Sequence, residues 1–374
     1  MKFENFNRLM LQQRVLVAPL DWGLGHATRC IPIIYELLAV GFEVLIAADG
    51  KTKKLLQNEF PGLVFIDLQG YNVKYSSNKY WLPAKLLLQI PRVLLRIYKE
   101  HQWLKSAIKQ HHITAVISDN RLGLFNKTIT SVYITHQLKI KAGNAFATWL
   151  AQKIHYTFIN KYSQCWVPDN ASADNLAGTL SHPKKLPRVP VHYLGPLSRF
   201  IKTDAEKKYD CLLLLSGPEP QRTIFENILL NELKLFSGKT LLVRGLPGET
   251  DQCVCENKDV EIKNHLSAVE LNHAILQTAV VICRSGYTTV MDLTKLHKKA
   301  ILVATPGQTE QEYLAQYLQE QNVFLSIAQN KFSLQNALQL CNAFPFKNIN
   351  LNQEKYKERI SIFSDELQKN NAVQ

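Results

Sequence analysis

The sequence predicts an α/β protein built of two consecutive doubly wound units, with a ligand-binding cleft between them. Three observations predict it. Short, near-continuous apolar runs alternate with longer helical stretches; the alternation halts in a proline-rich segment and then restarts; and the excess of positive over negative charge is confined to the first half. Apolar strands of this kind belong to parallel sheets covered on both faces by helices. Such sheets bind ligands at the carboxyl ends of their strands.

Each element follows from this pattern. In the first half, strands are predicted at Val15–Pro19, Val44–Ala47, Leu63–Ile66, Ala115–Ser118, Val132–Thr135 and Cys165–Val167, with helices over about 26–40, 51–59, 81–110 and 143–160. Four prolines between Ser181 and Pro196 then read as loop and as the approach to a domain boundary. The pattern resumes with strands at Asp210–Ser216, Thr240–Val243, Val260–Ile262, Ala279–Cys283 and Ala300–Ala304, and helices near 221–236, 267–276, 286–297 and 310–320. A charged helix over about 351–369 follows the second set. The predicted division is 1–200, 201–350 and 351–374.

Composition narrows the function classes. With 46% hydrophobic and 20% charged residues, the 374-residue chain is globular rather than disordered or fibrous. No run approaches the roughly 18 apolar residues that span a bilayer. The N-terminal MKFENFNRLMLQQ lacks an apolar signal core, so a cytoplasmic setting is expected. Of the seven cysteines, Cys30, Cys165, Cys211 and Cys283, in or beside apolar segments, are read as reduced and buried, and the lone Cys253-x-Cys255 lacks a second pair for zinc, so no metal site is predicted. Residues 1–200 hold 25 Lys and Arg against 11 Asp and Glu, whereas 201–374 hold 19 against 20. A net charge of +14 on one half suits an anionic partner: a phosphate-bearing ligand, an acidic membrane surface or, least of all in the absence of any nucleic-acid-binding motif, nucleic acid. A solvated basic face is the plainer alternative.

Three loops carry the chemistry. The first, Asp21-Trp22-Gly23-Leu24-Gly25-His26-Ala27-Thr28-Arg29, joins a strand to a helix. Glycines there let backbone amides approach a ligand. A dinucleotide fingerprint with Asp49 as the ribose acid is one reading, although Thr28 stands where the third glycine belongs. The other reading makes His26 a proton acceptor at the cleft. A histidine merely packed in the turn is the plain one. The second loop, Ser216-Gly217-Pro218-Glu219-Pro220-Gln221-Arg222, opens a helix whose first-turn amides and Arg222 suit a phosphate. The third stretch holds Arg284-Ser285-Gly286, Thr288, Thr289 and Asp292, then Thr305-Pro306-Gly307-Gln308, Glu310 and Gln311. A helix N-terminus beside a cation suits a diphosphate, and a carboxylate two turns in suits ribose hydroxyls. Glu310 and Gln311 at the next strand end suit sugar hydroxyls. An ordinary αβα unit with polar caps explains this ordered set poorly.

Residues 279–318 resemble the C-terminal domain of family 28 glycosyltransferases, the family of the peptidoglycan N-acetylglucosaminyltransferases. The pattern S-R-x-G-x-x-T-x-x-E is matched by Cys283-Arg284-Ser285-Gly286-Tyr287-Thr288-Thr289-Val290-Met291-Asp292, with Asp292 for Glu, and the later Q-x-x-N-A by Gln311 and Ala315, with Leu314 for Asn. The N-terminal glycine loop is matched by Gly23, Gly25 and His26, and an H-E-Q loop loosely by His136 and Gln137. Ser118-Asp119-Asn120-Arg121 departs from the family, which turns the expectation away from the peptidoglycan lipid intermediate as acceptor.

The resemblance implies a GT-B fold, two Rossmann-like domains facing across a cleft, with the final helix returning to the first. It implies an inverting, metal-independent transferase that uses a nucleotide-sugar, a UDP-sugar by preference, as substrate and needs no cofactor. The expected donor site is Ser216, Gly217, Arg222, Arg244, Arg284, Ser285, Gly286, Thr288, Thr289, Asp292, Glu310 and Gln311, with the arginines on the departing diphosphate. Gly23, Gly25, Asn120, Arg121, His136 and Gln137 are expected to hold the acceptor. His26 is the expected base and Asp119 the reserve. A UDP-sugar 2-epimerase of the same fold and a non-catalytic nucleotide-sugar-binding protein remain as alternatives. Residues 79–112, with seven Lys and Arg, one Glu, Trp81 and many leucines around Pro91, are expected to dock weakly on an anionic membrane. That would suit an acceptor carried on a lipid and a peripheral site on the inner face of the membrane. A surface helix with a basic face is the alternative.

Overall fold

The computed structural model describes residues 13–71, 82–141, 145–251 and 253–373. Two parallel sheets organise it. The first contains β1 (Arg14–Pro19), β2 (Glu43–Ala48), β3 (Val64–Asp67), β4 (Ala115–Asp119), β5 (Thr130–Ile134), β6 (Gln164–Val167) and β7 (Val191–Tyr193) in the order 3-2-1-4-5-6-7. The second contains β8 (Tyr209–Leu214), β9 (Thr240–Val243), β10 (Val260–Lys263), β11 (Thr278–Cys283), β12 (Lys299–Leu302) and β13 (Leu325–Ser326) in the order 10-9-8-11-12-13. All the strand pairs in both sheets are parallel. Strand order reverses direction between β1 and β4 and again between β8 and β11. These are the switch points where loops diverge and leave a crevice.

The helices are α1 (Leu24–Ala39), α2 (Gly50–Glu59), α3 (Leu82–His111), α4 (Ala145–Ile159), α5 (Gln221–Leu233), α6 (Ala268–Leu276), α7 (Tyr287–Lys295), α8 (Thr309–Glu320), α9 (Leu334–Ala343) and α10 (Lys355–Val373). Strands β1, β2 and β4 are almost wholly buried, as their apolar runs require, and α1 adds Ile31, Ile33, Ile34 and Leu37 to the layer over them. Helix α10 packs back on α1: Phe363 lies 6.0 Å from Phe42 and 5.4 Å, edge-on, from Trp166.

The pattern reading misses three elements. Strand β7 follows Pro190 inside the segment read as loop; it is tolerated there because it is the sheet's edge, and the Pro190 carbonyl still accepts from Cys165 N. Strand β13 has two residues, too short to show alternation, and α9 was not predicted.

Candidate active site

Topology assembles the site. The β1–α1 loop and the end of β4 meet at the first switch point, which brings His26 and Asp119 together although they lie 93 positions apart. Gly23 caps α1 with φ +129°, a backbone conformation that glycine alone adopts without strain. Gly25 is needed for closeness: a Cβ there would sit 2.9 Å from Thr288 Oγ1, which donates to the Gly25 carbonyl at 3.2 Å. The first-domain glycine loop thus touches the first turn of α7.

A cavity of about 410 Å³ opens where the domains meet. Leu20, Trp22, Tyr71, Val93, Leu122 and Ile140 give it apolar walls, while His26, Asn120, Tyr133, His136, Gln137 and His155 give polar ones. Tyr287, Thr288 and Glu310 complete it from the second domain. Asn120, with φ +57°, accepts from the Tyr133 hydroxyl at 3.2 Å.

The polar centre is a chain of five side chains. Arg29, buried and unremarked by sequence reasoning, donates to Asp119 through Nε at 2.6 Å and through Nη2. Arg29 Nη2 also stands 2.8 Å from His26 Nδ1, and that nitrogen is 3.3 Å from Asp119 Oδ2. Arg29 Nη1 reaches His136 Nδ1 at 3.1 Å, and His136 Nε2 lies 2.6 Å from Glu310 Oε1 across the cleft. Tyr287 stacks on His136 with ring centroids 4.1 Å apart. The spacing His26–Arg29, three residues on one helix face, was the available signal.

Charge states follow from these contacts. Burial alone would raise the Asp119 carboxyl, but Arg29 and then His26 outweigh it and bring its pKa to about 2. Burial, then Arg29, holds His26 below its ordinary value, with Asp119 pulling the other way. Burial would likewise raise Glu310, yet His136 keeps it below the usual carboxylate range. Asp119 is therefore a held anion and not a free base, which corrects its reserve role: it orients and stabilises its neighbours.

Several predicted ligands have other partners. Arg121 is fully buried, paired with Glu100 at 2.6 Å and donating to the Gln69 and Pro19 carbonyls; it braces α3 against β1 and does not reach the acceptor cavity. Arg284 was expected on the diphosphate. Its guanidinium instead donates to the Val303, Ala304 and Gln221 carbonyls and lies 4.5 Å over the Phe225 ring, and burial lowers its pKa to about 10. It ties together the loops that end β8, β11 and β12. Arg222 and Arg244 are likewise spent on protein: both bind Glu226, at 3.0 and 2.5 Å, and Arg222 also takes Glu219 at 2.5 Å. Glu310, grouped with the donor site, faces His136. Gln311 shapes its own turn, accepting from Thr305 N at 2.9 Å, and Ser285 Oγ donates to the Gln311 carbonyl at 2.8 Å. Left accessible near the second switch point are Ser216 and Gly217, both exposed, and the α7 first turn with its cap Gly286 and Thr289 partly exposed.

Asp292 lies on α7 and accepts from Ser198 Oγ at 2.5 Å, in the segment that links the domains. Burial raises its pKa to about 7, against the opposing pull of Ser198, Arg199 and Lys295. A carboxyl raised in the folded state contributes stability below its unfolded pKa and loses it as pH climbs from about 4 through about 7. Asp292→Asn, which still accepts from Ser198, is therefore expected to be near neutral at pH 4 and stabilising at pH 8. The limit is on the order of 4 kcal/mol, and urea unfolding at the two pH values reads it directly. Equal effects at both pH values would mean that Asp292 ionises normally.

Residues 238–372 match the glycosyltransferase family 28 C-terminal domain. No curated protein gives a match to the chain. Among solved structures, the chain is similar to the calicheamicin glycosyltransferase CalG4 at 12% identity, covering 96% of this chain and 95% of that one with a TM-score of 0.61. It is similar to the spinosyn rhamnosyltransferase SpnG complexed with thymidine diphosphate at 14% identity, 96% of each chain and a TM-score of 0.59. The spinosyn forosaminyltransferase SpnP gives 13% identity, 96% and 95% coverage and a TM-score of 0.57. Identities this low speak to the fold, and the family match speaks to the second domain. Two parallel-sheet domains meeting at a cleft, the second carrying a glycosyltransferase family 28 C-terminal domain, make this chain a glycosyltransferase of the GT-B fold.

Proposed function

We propose that the protein transfers a sugar, with inversion and without a metal ion, from a nucleoside diphosphate sugar to an acceptor hydroxyl held in the first-domain side of the cavity. UDP is the preferred nucleotide. The observation that carries the reading is His26, on the cavity wall beside Asp119 and Arg29, opposite the first turn of α7. In this scheme the acceptor hydroxyl loses its proton to His26 Nε2 as its oxygen bonds to the anomeric carbon. The bond from that carbon to the diphosphate breaks on the opposite face, through an oxocarbenium-like state as in glycoside hydrolysis. Asp119 stabilises the imidazolium that forms. Amides of the α7 first turn take up charge on the leaving diphosphate. A 2-epimerase has no use for an acceptor, and a partly apolar cavity beside the base favours transfer.

SpnG is described with thymidine diphosphate, which supports a pyrimidine diphosphate in this fold. Calorimetry is expected to show UDP binding that EDTA leaves unchanged, and NMR is expected to show a UDP-sugar stable until an acceptor alcohol is added. Donor isomerisation without acceptor would favour the epimerase.

The acceptor is proposed to ride on a lipid. Trp81 lies outside the described residues. Beyond Pro91, α3 exposes Leu94, Leu95 and Tyr98 beside Arg92 and Lys99, and α4 exposes Phe146 and Trp149; both helices also supply cavity residues, Val93 and His155. Among the described residues no helix is long and apolar enough to cross a membrane. Co-sedimentation with anionic vesicles at low salt, lost at high salt and on neutral vesicles, is the expected outcome. No binding to anionic vesicles at low salt would assign the basic half to a soluble, acidic acceptor.

A further inference from the structure

The contacts of His26 contain a conflict. A histidine base needs its proton on Nδ1, paired with the carboxylate, and a bare Nε2 toward the substrate. Here the shorter contact to Nδ1 is the Arg29 Nη2 donor at 2.8 Å; the carboxylate oxygen stands back at 3.3 Å and already accepts from Arg29 Nε at 2.6 Å. An N–H facing Nδ1 at that distance requires a lone pair there. In a neutral ring the proton then sits on Nε2, the wrong nitrogen for accepting one from the acceptor.

We propose that Arg29 is a positioning residue that sets the tautomer of His26, holding the ring in its Nε2–H form in the donor-free protein. The base forms when the Arg29 Nη2–H turns away and Nδ1–H pairs with Asp119. The ring stays neutral through the change: Nε2 gives its proton to solvent and Nδ1 takes one. The inference rests on reading His26 as the base.

The surroundings are consistent with such a device. The groups facing His26 are Arg29 and Cys30 on its own helix, Asp119 from β4, Tyr133 from β5, His136 from the loop after β5, Tyr287 from α7 and Glu310 from α8. Arg29 contacts His26 and two of these groups, Asp119 and His136, at once. Its Nη1 leads through His136 to Glu310 on the opposite domain, so the guanidinium that sits on Nδ1 is also tied to the side from which the donor comes. A plain structural role for Arg29 needs only the pairing with Asp119. It does not need the third contact.

Histidine ¹⁵N chemical shifts and long-range ¹H–¹⁵N couplings read the tautomer and the ring pKa without any substrate, with His26 assigned as the resonance lost in His26→Gln. Wild type is expected to show Nε2–H. Arg29→Lys keeps a cation near Asp119 but has no fork to hold both the carboxylate and Nδ1. It is expected to shift the population toward Nδ1–H. Arg29→Met is expected to complete the shift and raise the ring pKa by about one unit or more, since a neighbouring cation is gone and Asp119 remains. If Arg29→Met does not fold, wild type and Arg29→Lys decide. An Nδ1–H ring in wild type, or one tautomer in wild type and Arg29→Lys alike, overturns the proposal. His26→Ala activity tests the base assignment separately, so a failed tautomer switch and a failed base are distinguished.

Discussion

His26→Ala is expected to lower turnover by roughly 10²–10⁴-fold, the range for loss of a positioned general base, while UDP affinity stays near that of wild type. The split follows from where the side chain lies. Its ring lines the cavity on the first-domain side, whereas the exposed first turn of α7 and the Ser216–Gly217 loop belong to the second domain. A base touches the acceptor and not the nucleotide, so calorimetry with UDP and steady-state rates report on different halves of the cleft. A variant with near-native kcat would remove His26 from the mechanism. Asp119 does not inherit the role, because with a pKa of about 2 and Arg29 held against it, it is too weak a base near neutral pH.

Asp119→Ala is expected to be the most destabilising change in the site, by about 3–5 kcal/mol in urea unfolding, because it strands a buried cation. Arg29 is 2% exposed, and no other carboxylate is given to it by a direct hydrogen bond among the described residues. Asp119→Asn keeps the shape but lowers the charge attraction, and is expected to lie between alanine and wild type. The pH dependence has the opposite sign to that of Asp292. A carboxyl held below its unfolded pKa contributes stability above about pH 4, and loses it as pH falls toward about 2. The contribution is on the order of 2 kcal/mol, and it should vanish from the acid limb of the Asp119→Ala curve. An Asp119→Ala protein as stable as wild type would mean that Arg29 finds solvent or another partner.

Much of this fold is written locally, and the site is written only in part. Apolar runs such as Val15–Pro19 and Ala300–Ala304 announce buried parallel strands, because they are too short for a buried helix and lead into turn residues. The loop glycines and His26 are legible because they stand at a strand-to-helix junction. What sequence reading misses is partnership over distance. Arg29 reads as a cation in the first turn of a helix, and only the fold brings it to Asp119, 90 positions away. Arg284, Arg222 and Arg244 read as phosphate ligands because they follow strand ends. The backbone carbonyls and the Glu226 carboxylate that take them cannot be seen in a one-dimensional pattern. Strand β7 was hidden because the prolines around it read as loop, whereas an edge strand tolerates a proline at its start.

Helix α10 carries a consequence for how the chain comes to be folded. Ile360 and Phe363 are completely buried against the first domain, and Arg359 donates to Gln164 Oε1 at 2.9 Å beside the Trp166 ring. During synthesis the strands of that domain emerge first, and the whole second sheet is translated before this helix exists. Until then the flank of Trp166 and Phe42 is left without its cover, an exposed apolar surface on a nascent chain. The core of the first domain is therefore incomplete until α10 packs on it. It is completed by a segment translated after the second sheet, a helix that follows one domain in sequence and packs into the core of the other.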